Sequence, residues 1–104
     1  MEEPTTAEAL MRSRFEAFKT ADTDWLLHTW HPSTRPVELD LSDNPTWRGL
    51  QILRVVDGSE TDTTGQVEFR ATYLQDGEVQ VLHERSEFVR VDGRWKYLDG
   101  VAGS

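Results

Sequence analysis

The 104-residue chain contains no cysteine. This absence excludes disulfide bonds, thiolate metal ligands and cysteine nucleophiles, and it is typical of proteins in a reducing compartment. The first thirty residues also lack an unbroken apolar run and a basic leader, so we expect neither a secretory signal nor a membrane span. Together these absences predict a cytoplasmic protein.

Positive charge is also scarce. The chain has 19 acidic against 11 basic residues, a formal net charge of −8 with His neutral. Nucleic-acid phosphates and anionic membranes select for Lys and Arg, so this balance argues against either as a partner. Hydrophobic residues make up 37% of the chain, with four Phe, four Trp and two Tyr, which is enough for a small core. The length predicts a single domain over residues 1–104.

Helical signals occupy the N-terminal third. Thr5 to Glu8 has the spacing of a capping box, which predicts a helix beginning near Thr6. At 100° per residue, one stripe of this helix carries Ala7, Leu10, Met11, Arg14 and Phe18. Asp22 predicts the cap of a second, short helix that continues to about Trp30.

Strand signals dominate the remainder. Alternation and β-branched residues predict strands over residues 37–41, 47–56, 66–74, 79–91 and 94–98, with a bend or bulge at Gly49. The polar stretch over residues 57–65 predicts an acidic loop.

Two Asp-Gly pairs, at 76–77 and 92–93, predict two-residue type I′ turns between the last three strands. Counting outward from these turns pairs Phe69 with Glu84 and Phe88 with Tyr97. Paired residues share a sheet face. One face then collects Val67, Phe69, Ala71, Tyr73, Leu82, Phe88, Trp95 and Tyr97, and it faces the first helix.

The same count places Glu84, Ser86 and Asp99 together on this apolar face, with Ser86 opposite Asp99. Arg14 is likewise a polar residue on an apolar surface, because it lies in the middle of the helix stripe that faces the sheet. Buried ions are costly unless they are paired. We therefore predict that Arg14 lies within salt-bridge distance of Glu84 or Asp99, with Ser86 as a further hydrogen-bond partner.

Two interpretations of this polar group stay open. It is either a closed ion-pair network that attaches the helix to the sheet, or the polar floor of a cavity that holds water or a ligand. Two neighbouring carboxyl groups repel each other, so one pKa should rise unless Arg14 neutralises the pair. The cavity interpretation predicts a binding site formed by Arg14, Trp30, His31, Phe69, Tyr73, Glu84, Ser86, Trp95, Tyr97 and Asp99.

The three histidines do not form a metal site in this interpretation. His28 points away from the apolar side of its helix, and the counted register places His83 on the outer sheet face. His31 begins a loop, from which it could turn into the mouth of the cavity. We therefore predict no bound metal and no cofactor.

The opposite sheet face is unusually apolar. It carries Leu74, Val79, Val81, Val89, Val91 and Leu98, mixed with His83, Arg85 and Glu87. Aliphatic patches of this size mark association, which predicts a homodimer through the outer face. The alternative is that the chain's own terminus covers this face.

Five stretches resemble the YchJ-like bacterial family: Pro4–Phe15, Thr29–Pro36, Val67–Ala71, His83–Phe88 and Asp92–Gly100. The resemblance implies an α+β fold of the nuclear-transport-factor-two superfamily, a cystatin-like cone in which a curved antiparallel β-sheet wraps around a long helix. Members of the family usually carry a Cys-rich, zinc-binding SEC-C segment beside this domain. Because this chain has no Cys, the resemblance transfers no zinc site to it.

The resemblance leaves the function open. The family has no established activity, while the wider superfamily contains ketosteroid isomerases, dehydratases and polyketide cyclases as well as non-catalytic modules. No catalytic motif of those enzymes matches here. We therefore predict a non-catalytic domain that binds a small molecule in a pocket or engages a partner.

Two alternatives accompany this prediction. One is a small lyase, isomerase or hydrolase of the SnoaL-like type, with Glu84 or Asp99 as general base. The other is a pure dimerisation module. A cavity of about 300 Å³ or more that opens onto Glu84 and Ser86 would favour ligand binding.

Overall fold

The computed structural model describes residues 3–102. Its elements are α1 (Ala7–Thr20), α2 (Thr23–His28), β1 (Thr46–Asp57), β2 (Thr64–Gln75), β3 (Glu78–Val91) and β4 (Arg94–Ala102). The four strands form one antiparallel sheet in the order β1-β2-β3-β4. Helix α1 packs on one face of the sheet, so the predicted α+β class is confirmed.

Both helices begin where the sequence predicts. The Thr6 side chain caps α1 by accepting a hydrogen bond from the Ala9 N–H at 3.1 Å, and Asp22 caps α2. The predicted stripe of α1 is buried, including Arg14, except that Phe18 is half-buried. Helix α2 ends at His28 rather than Trp30, because Trp30 forms a parallel bridge with Tyr97.

The two hairpin turns set the register of the sheet. Asp76 and Gly77 have φ angles of 52° and 79°, and Asp92 and Gly93 have 51° and 79°, as type I′ turns require. The first hairpin has the counted register throughout β2 and β3. The second hairpin has the counted register from its turn as far as the Phe88–Tyr97 pair.

The register then shifts by one residue, so the predicted place of Asp99 is wrong. A bulge next to Phe88 pairs Asp99 with Glu87 and Gly100 with Ser86. A bulge adds one residue to one strand and reverses which side chains face inward. As a result, Asp99 is exposed, and Gly100 lies opposite Ser86 at the position that was predicted for Asp99.

A second prediction is also wrong, because residues 37–41 do not form a strand. Val37 is 98% exposed. Leu39 and Leu41 pack instead against a small cluster beneath the two helices, formed by Ala17, Trp25 and Leu26. The alternation of these leucines reflects packing against helices rather than sheet pairing. The bulge predicted at Gly49 is present, as a register shift between Trp47 and Gly49.

The main core lies between α1 and the sheet. Its buried members are Ala7, Leu10, Met11, Phe15, Val67, Phe69, Ala71, Phe88 and Trp95. Next to it, Ala7 and Arg90 hold the predicted acidic loop. The Ala7 N–H donates to the Gly58 carbonyl at 3.0 Å, the Arg90 side chain donates to the Ser59 carbonyl at 2.9 Å, and the Arg90 backbone N–H donates to the Thr63 carbonyl at 2.8 Å. Within residues 3–102, no helix is both long enough and apolar enough to cross a membrane.

Candidate functional site

A cavity of about 190 Å³ lies between α1 and the inner face of the sheet. It is lined by Met11, Arg14, Phe15, Phe18, Trp30, Trp47, Phe69, Ala71, Leu82, Glu84, Ser86 and Tyr97. Most of this wall is aromatic or aliphatic. Leu82 is 36% exposed, so the cavity reaches the surface on the side of this residue.

Arg14 is the buried cation of the cavity, with 4% of its surface exposed. Its Nη1 donates to the Leu26 carbonyl at 2.9 Å and to Thr29 Oγ1 at 2.7 Å. Thr29 in turn donates to the Trp25 carbonyl at 2.7 Å. The guanidinium is therefore attached to the C-terminal end of α2, where unpaired carbonyls favour positive charge.

Two aromatic rings complete the surroundings of Arg14. Its Cζ lies 4.5 Å from the ring centroid of Tyr97 and 5.1 Å from that of Trp30, both within cation–π range. Backbone pairing holds these rings in place: the His31 N–H donates to the Tyr97 carbonyl, and the Tyr97 N–H donates to the Thr29 carbonyl, each at 2.7 Å.

The predicted ion pair of Arg14 with Glu84 or Asp99 does not form. Within residues 3–102 the side-chain ion pairs involve other residues. Instead, a carbonyl and a hydroxyl accept hydrogen bonds from its Nη1, and two aromatic rings lie against the guanidinium. A search for carboxylate partners in the sequence could not have predicted these contacts. Burial lowers the pKa of Arg14 to about 10, while Tyr97 and Glu84 oppose this effect.

Glu84 is the half-buried carboxyl group of the cavity. Its Oε2 accepts a hydrogen bond from Ser86 Oγ at 3.0 Å. Burial raises the pKa of Glu84; the Ser86 hydrogen bond lowers it, the charge of Asp99 raises it further and that of Arg14 lowers it. Repulsion between two neighbouring carboxyl groups was the cause expected from the sequence; burial is the main cause here, and the charge of Asp99 is a minor one.

Gly100 makes room for this carboxyl group. A Cβ at Gly100 would lie 2.7 Å from both Cδ and Oε2 of Glu84, and 3.0 Å from Oη of Tyr97. The bare backbone of β4 therefore lets the Glu84 carboxyl group and the Tyr97 hydroxyl occupy the same small region. Burial, together with the charge of Glu84, raises the pKa of Tyr97 to about 12.

The structure brings six of the ten predicted site residues together in the wall of the cavity. They are Arg14, Trp30, Phe69, Glu84, Ser86 and Tyr97. Of the other four, Tyr73 is not part of the wall; its ring packs against that of Trp47, with ring centroids 5.1 Å apart. Trp95 belongs to the core, where its Nε1 donates to the Thr5 carbonyl at 3.0 Å.

His31 and Asp99 lie away from the cavity. The Nδ1 of His31 accepts a hydrogen bond from the Ser33 N–H at 3.0 Å. The ring therefore stabilises its own loop and does not line the mouth of the cavity. The Oδ1 of exposed Asp99 accepts from the Gly100 N–H at 2.8 Å. Asp99 acts on Glu84 through its charge alone.

Sequence reasoning missed part of the wall. Met11, Phe15 and Phe18 on α1, and Trp47, Ala71 and Leu82 on the sheet, line the cavity although they were expected only to fill the core or a strand. The helix stripe and the counted sheet face contain most of them, so the pattern identified the two surfaces but not the space between them. Gly100 was also missed, although glycine within a strand indicates a bulge or a close approach.

The chain matches a family model described as "YchJ, middle NTF2-like domain" over residues 6–100. Among its relatives, UPF0225 protein SCO1677 of Streptomyces coelicolor is 58% identical over 95 residues, covering 91% of this chain and 73% of the relative. A UPF0225 protein of Chromobacterium violaceum is 48% identical over 99 residues, covering 92% of this chain and 73% of the relative.

Two solved structures share the fold. The SEC-C motif containing protein RPA3114 of Rhodopseudomonas palustris is 31% identical with a TM-score of 0.86, covering 99% of this chain and 83% of that one. A SEC-C motif containing protein of Psychrobacter arcticus is 27% identical with a TM-score of 0.73, covering 95% of this chain and 62% of that one. The chain thus belongs to the YchJ family of UPF0225 proteins and corresponds to its middle NTF2-like domain.

Proposed function

We propose that this domain binds a small, partly apolar molecule in the cavity between α1 and the sheet. The observation that carries the proposal is the composition of the cavity wall: buried Arg14 and half-buried Glu84 lie among aromatic and aliphatic side chains. Ligand sites typically combine an apolar wall with a few polar groups that orient the ligand.

The volume limits the size of the ligand. At about 190 Å³, the cavity is smaller than the roughly 300 Å³ that the sequence-based prediction required, which is where drug-sized pockets begin. A dry apolar cavity of about 150 Å³ accepts benzene. We therefore expect a molecule with one ring, or a short branched chain, and one polar group.

The contacts of Arg14 favour this proposal over a closed ion-pair network. Such a network would fill the space between helix and sheet with paired charges. Instead, Arg14 bonds to α2, and Glu84 accepts from Ser86. The two charged groups face a common space without joining across it.

A matched pair of variants tests the proposal. Leu82→Trp places a large ring at the exposed edge of the cavity, whereas Val81→Trp places the same ring on the outer face of β3, where Val81 is 59% exposed. We expect single-ring compounds to shift the NMR signals of Trp30 and Ala71 in the wild type and in Val81→Trp, but not in Leu82→Trp. Equal responses of the two variants would contradict the proposal.

A second candidate function uses Glu84 as a general base in a small lyase, isomerase or hydrolase. The observation that favours it is the place of Glu84, half-buried in the cavity wall, where burial raises the pKa of its carboxyl group toward the range useful for proton transfer. Asp99 is exposed and outside the cavity, so this alternative now depends on Glu84 alone. It predicts that Glu84→Gln abolishes turnover of a bound compound while binding persists.

A further inference from the structure

Arg14 keeps hydrogen-bond donors that no acceptor within residues 3–102 satisfies. Arg14 forms its hydrogen bonds through Nη1 alone among these residues, although the whole side chain is 4% exposed. A wall that keeps donors without acceptors is matched by a ligand that brings acceptor lone pairs.

The charge of Arg14 also favours a ligand that brings hydrogen-bond acceptors. A buried guanidinium without a carboxylate partner is costly, and an anion delivered by a ligand would compensate it. Arginine also binds carboxylates in a planar, bidentate geometry, for which Nη2 and Nε remain available. Dipolar groups and ring faces occupy the remaining contacts of Arg14 and leave its charge unpaired.

Glu84 does not take this role within the protein, since it is not ion-paired with Arg14 and accepts from Ser86 instead. The groups in the cavity around Glu84 are Arg14 from α1, Ser86 from its own strand and Tyr97 from β4, while exposed Asp99 acts on it only through its charge. A second negative charge beside it would favour its protonated form. Its raised pKa makes that protonation easier.

Building on the proposed function, we propose that the cavity takes a small monocarboxylate with a single aromatic or branched apolar group. The carboxylate accepts hydrogen bonds from the free N–H groups of Arg14, and the apolar group packs against Phe15, Phe69 and Leu82. Binding of this second negative charge favours the protonated form of Glu84 in the same cavity.

Three probes of similar shape and different charge test this inference: benzoate, benzyl alcohol and benzylamine. In calorimetric titrations of the wild-type protein at mildly acidic pH, we expect benzoate to bind about tenfold more tightly than benzyl alcohol, the effect of one well-made charge-assisted hydrogen bond. Benzylamine should bind most weakly because Arg14 repels it.

Two variants locate the effect. Arg14→Met keeps most of the side-chain volume but removes the guanidinium donors, so it should weaken benzoate about tenfold and leave benzyl alcohol nearly unchanged. Over the pH range in which benzoate itself stays ionised, its affinity for the wild type should fall as pH rises through the pKa of Glu84, and Glu84→Gln should remove this dependence.

The outcomes separate this inference from the proposed function. Equal affinity for benzoate and benzyl alcohol in the wild type would overturn the monocarboxylate inference but leave cavity binding standing, and this comparison needs no variant to fold. Benzoate binding that is blocked by Leu82→Trp but insensitive to Arg14→Met and to pH would also overturn it. If none of the three probes binds, both proposals fail.

Discussion

At the scale of single residues, Arg14 shows how a cation is kept in a small core without a carboxylate. Its Nη1 uses the Leu26 carbonyl and the Thr29 hydroxyl at the end of α2, and its flat faces lie over the rings of Trp30 and Tyr97. One side chain therefore joins α1, α2 and β4. We expect it to be important for stability as well as for the cavity.

The first prediction concerns this stabilisation. Arg14→Met keeps most of the side-chain volume but removes two charge-assisted hydrogen bonds and two cation–π contacts. Because removing a buried charge offsets part of the loss, we expect the free energy of unfolding in urea to fall by about 2 kcal/mol. Arg12→Met is the control, since Arg12 forms an exposed pair with Glu8, whose loss costs about 0.5 kcal/mol or less. Equal stability of the two variants would contradict the prediction.

The second prediction concerns Glu84 and pH. Its folded-state pKa lies above the ordinary value of 4.5 because of burial. The folded protein therefore binds this proton more tightly than the unfolded chain does, so the stabilisation is fully present below pH 4.5 and is lost as pH rises through the folded-state pKa. Glu84→Gln should remove this component from a series of urea unfolding curves between acidic and neutral pH.

Glu87→Gln is the matched control, since Glu87 is exposed on the same strand. We expect it to keep the pH dependence of the wild type. A Glu84→Gln protein with an unchanged pH profile would show that desolvation of this carboxyl group is too weak to matter.

At the scale of elements, the two turns explain how much of the sheet could be predicted. Asp-Gly fixes positive φ at both central positions, and the face of every residue in β2 and β3 then follows by counting. The count fails in β4 because a bulge comes after Tyr97. Gly100 was the available signal for it, since glycine is otherwise unfavourable within a strand.

The candidate site was less predictable than the sheet. Alternation and helical spacing correctly brought Arg14, Glu84 and Ser86 toward each other, because each lies on a face fixed by local geometry. The partners of Arg14 come from α2, whose position depends on packing that spacing does not encode. The cavity itself is a gap between large side chains, and sequence periodicity carries no information about how completely they fill it.

The third prediction compares two glycines in turns. Gly58 and Gly77 have φ angles of 77° and 79°, so alanine meets the same backbone strain at both. A Cβ at Gly58 would lie 2.7 Å from Cβ of Ala7, whereas a Cβ at Gly77 has open space. Gly77→Ala should cost about 1 kcal/mol, and Gly58→Ala a further 1–3 kcal/mol or so because a tight contact must open.

Thermal unfolding of the two glycine variants measures this difference directly. Because the strain is common to both, any excess loss at Gly58 reports the contact between its loop and the start of α1. Similar melting temperatures would mean that the loop moves away from Ala7 at little cost.

At the scale of the whole molecule, the outer sheet face carries exposed aliphatic side chains and still predicts a homodimer. Val79 is 70% and Val81 59% exposed, while Leu74, Val89, Val91 and Leu98 are half-buried. His83 on this face forms a 2.6 Å contact with Glu68, which leaves polar groups between the aliphatic ones.

The fourth prediction is therefore a dimer in solution. We expect light scattering to show a mass above 12.0 kDa that rises toward twice this value at high micromolar concentration. Val79→Lys together with Val81→Lys should return the protein to the monomeric mass, because burying two unpaired ammonium groups is costly. A monomeric wild type at high concentration would contradict the prediction.

The segment beside β4 has a consequence for how such molecules can assemble. Thr29 and His31 occupy the backbone groups of Tyr97 on this outer strand, and Thr34 Oγ1 donates to the Leu98 carbonyl at 2.7 Å. The other outer strand, β1, is interrupted by register shifts near Gly49 and Leu53. Neither border offers a straight template onto which a foreign strand could be added, so fibril growth and strand exchange between copies are both disfavoured. We therefore expect any self-association to use side-chain contacts rather than added strands, and to reverse on dilution.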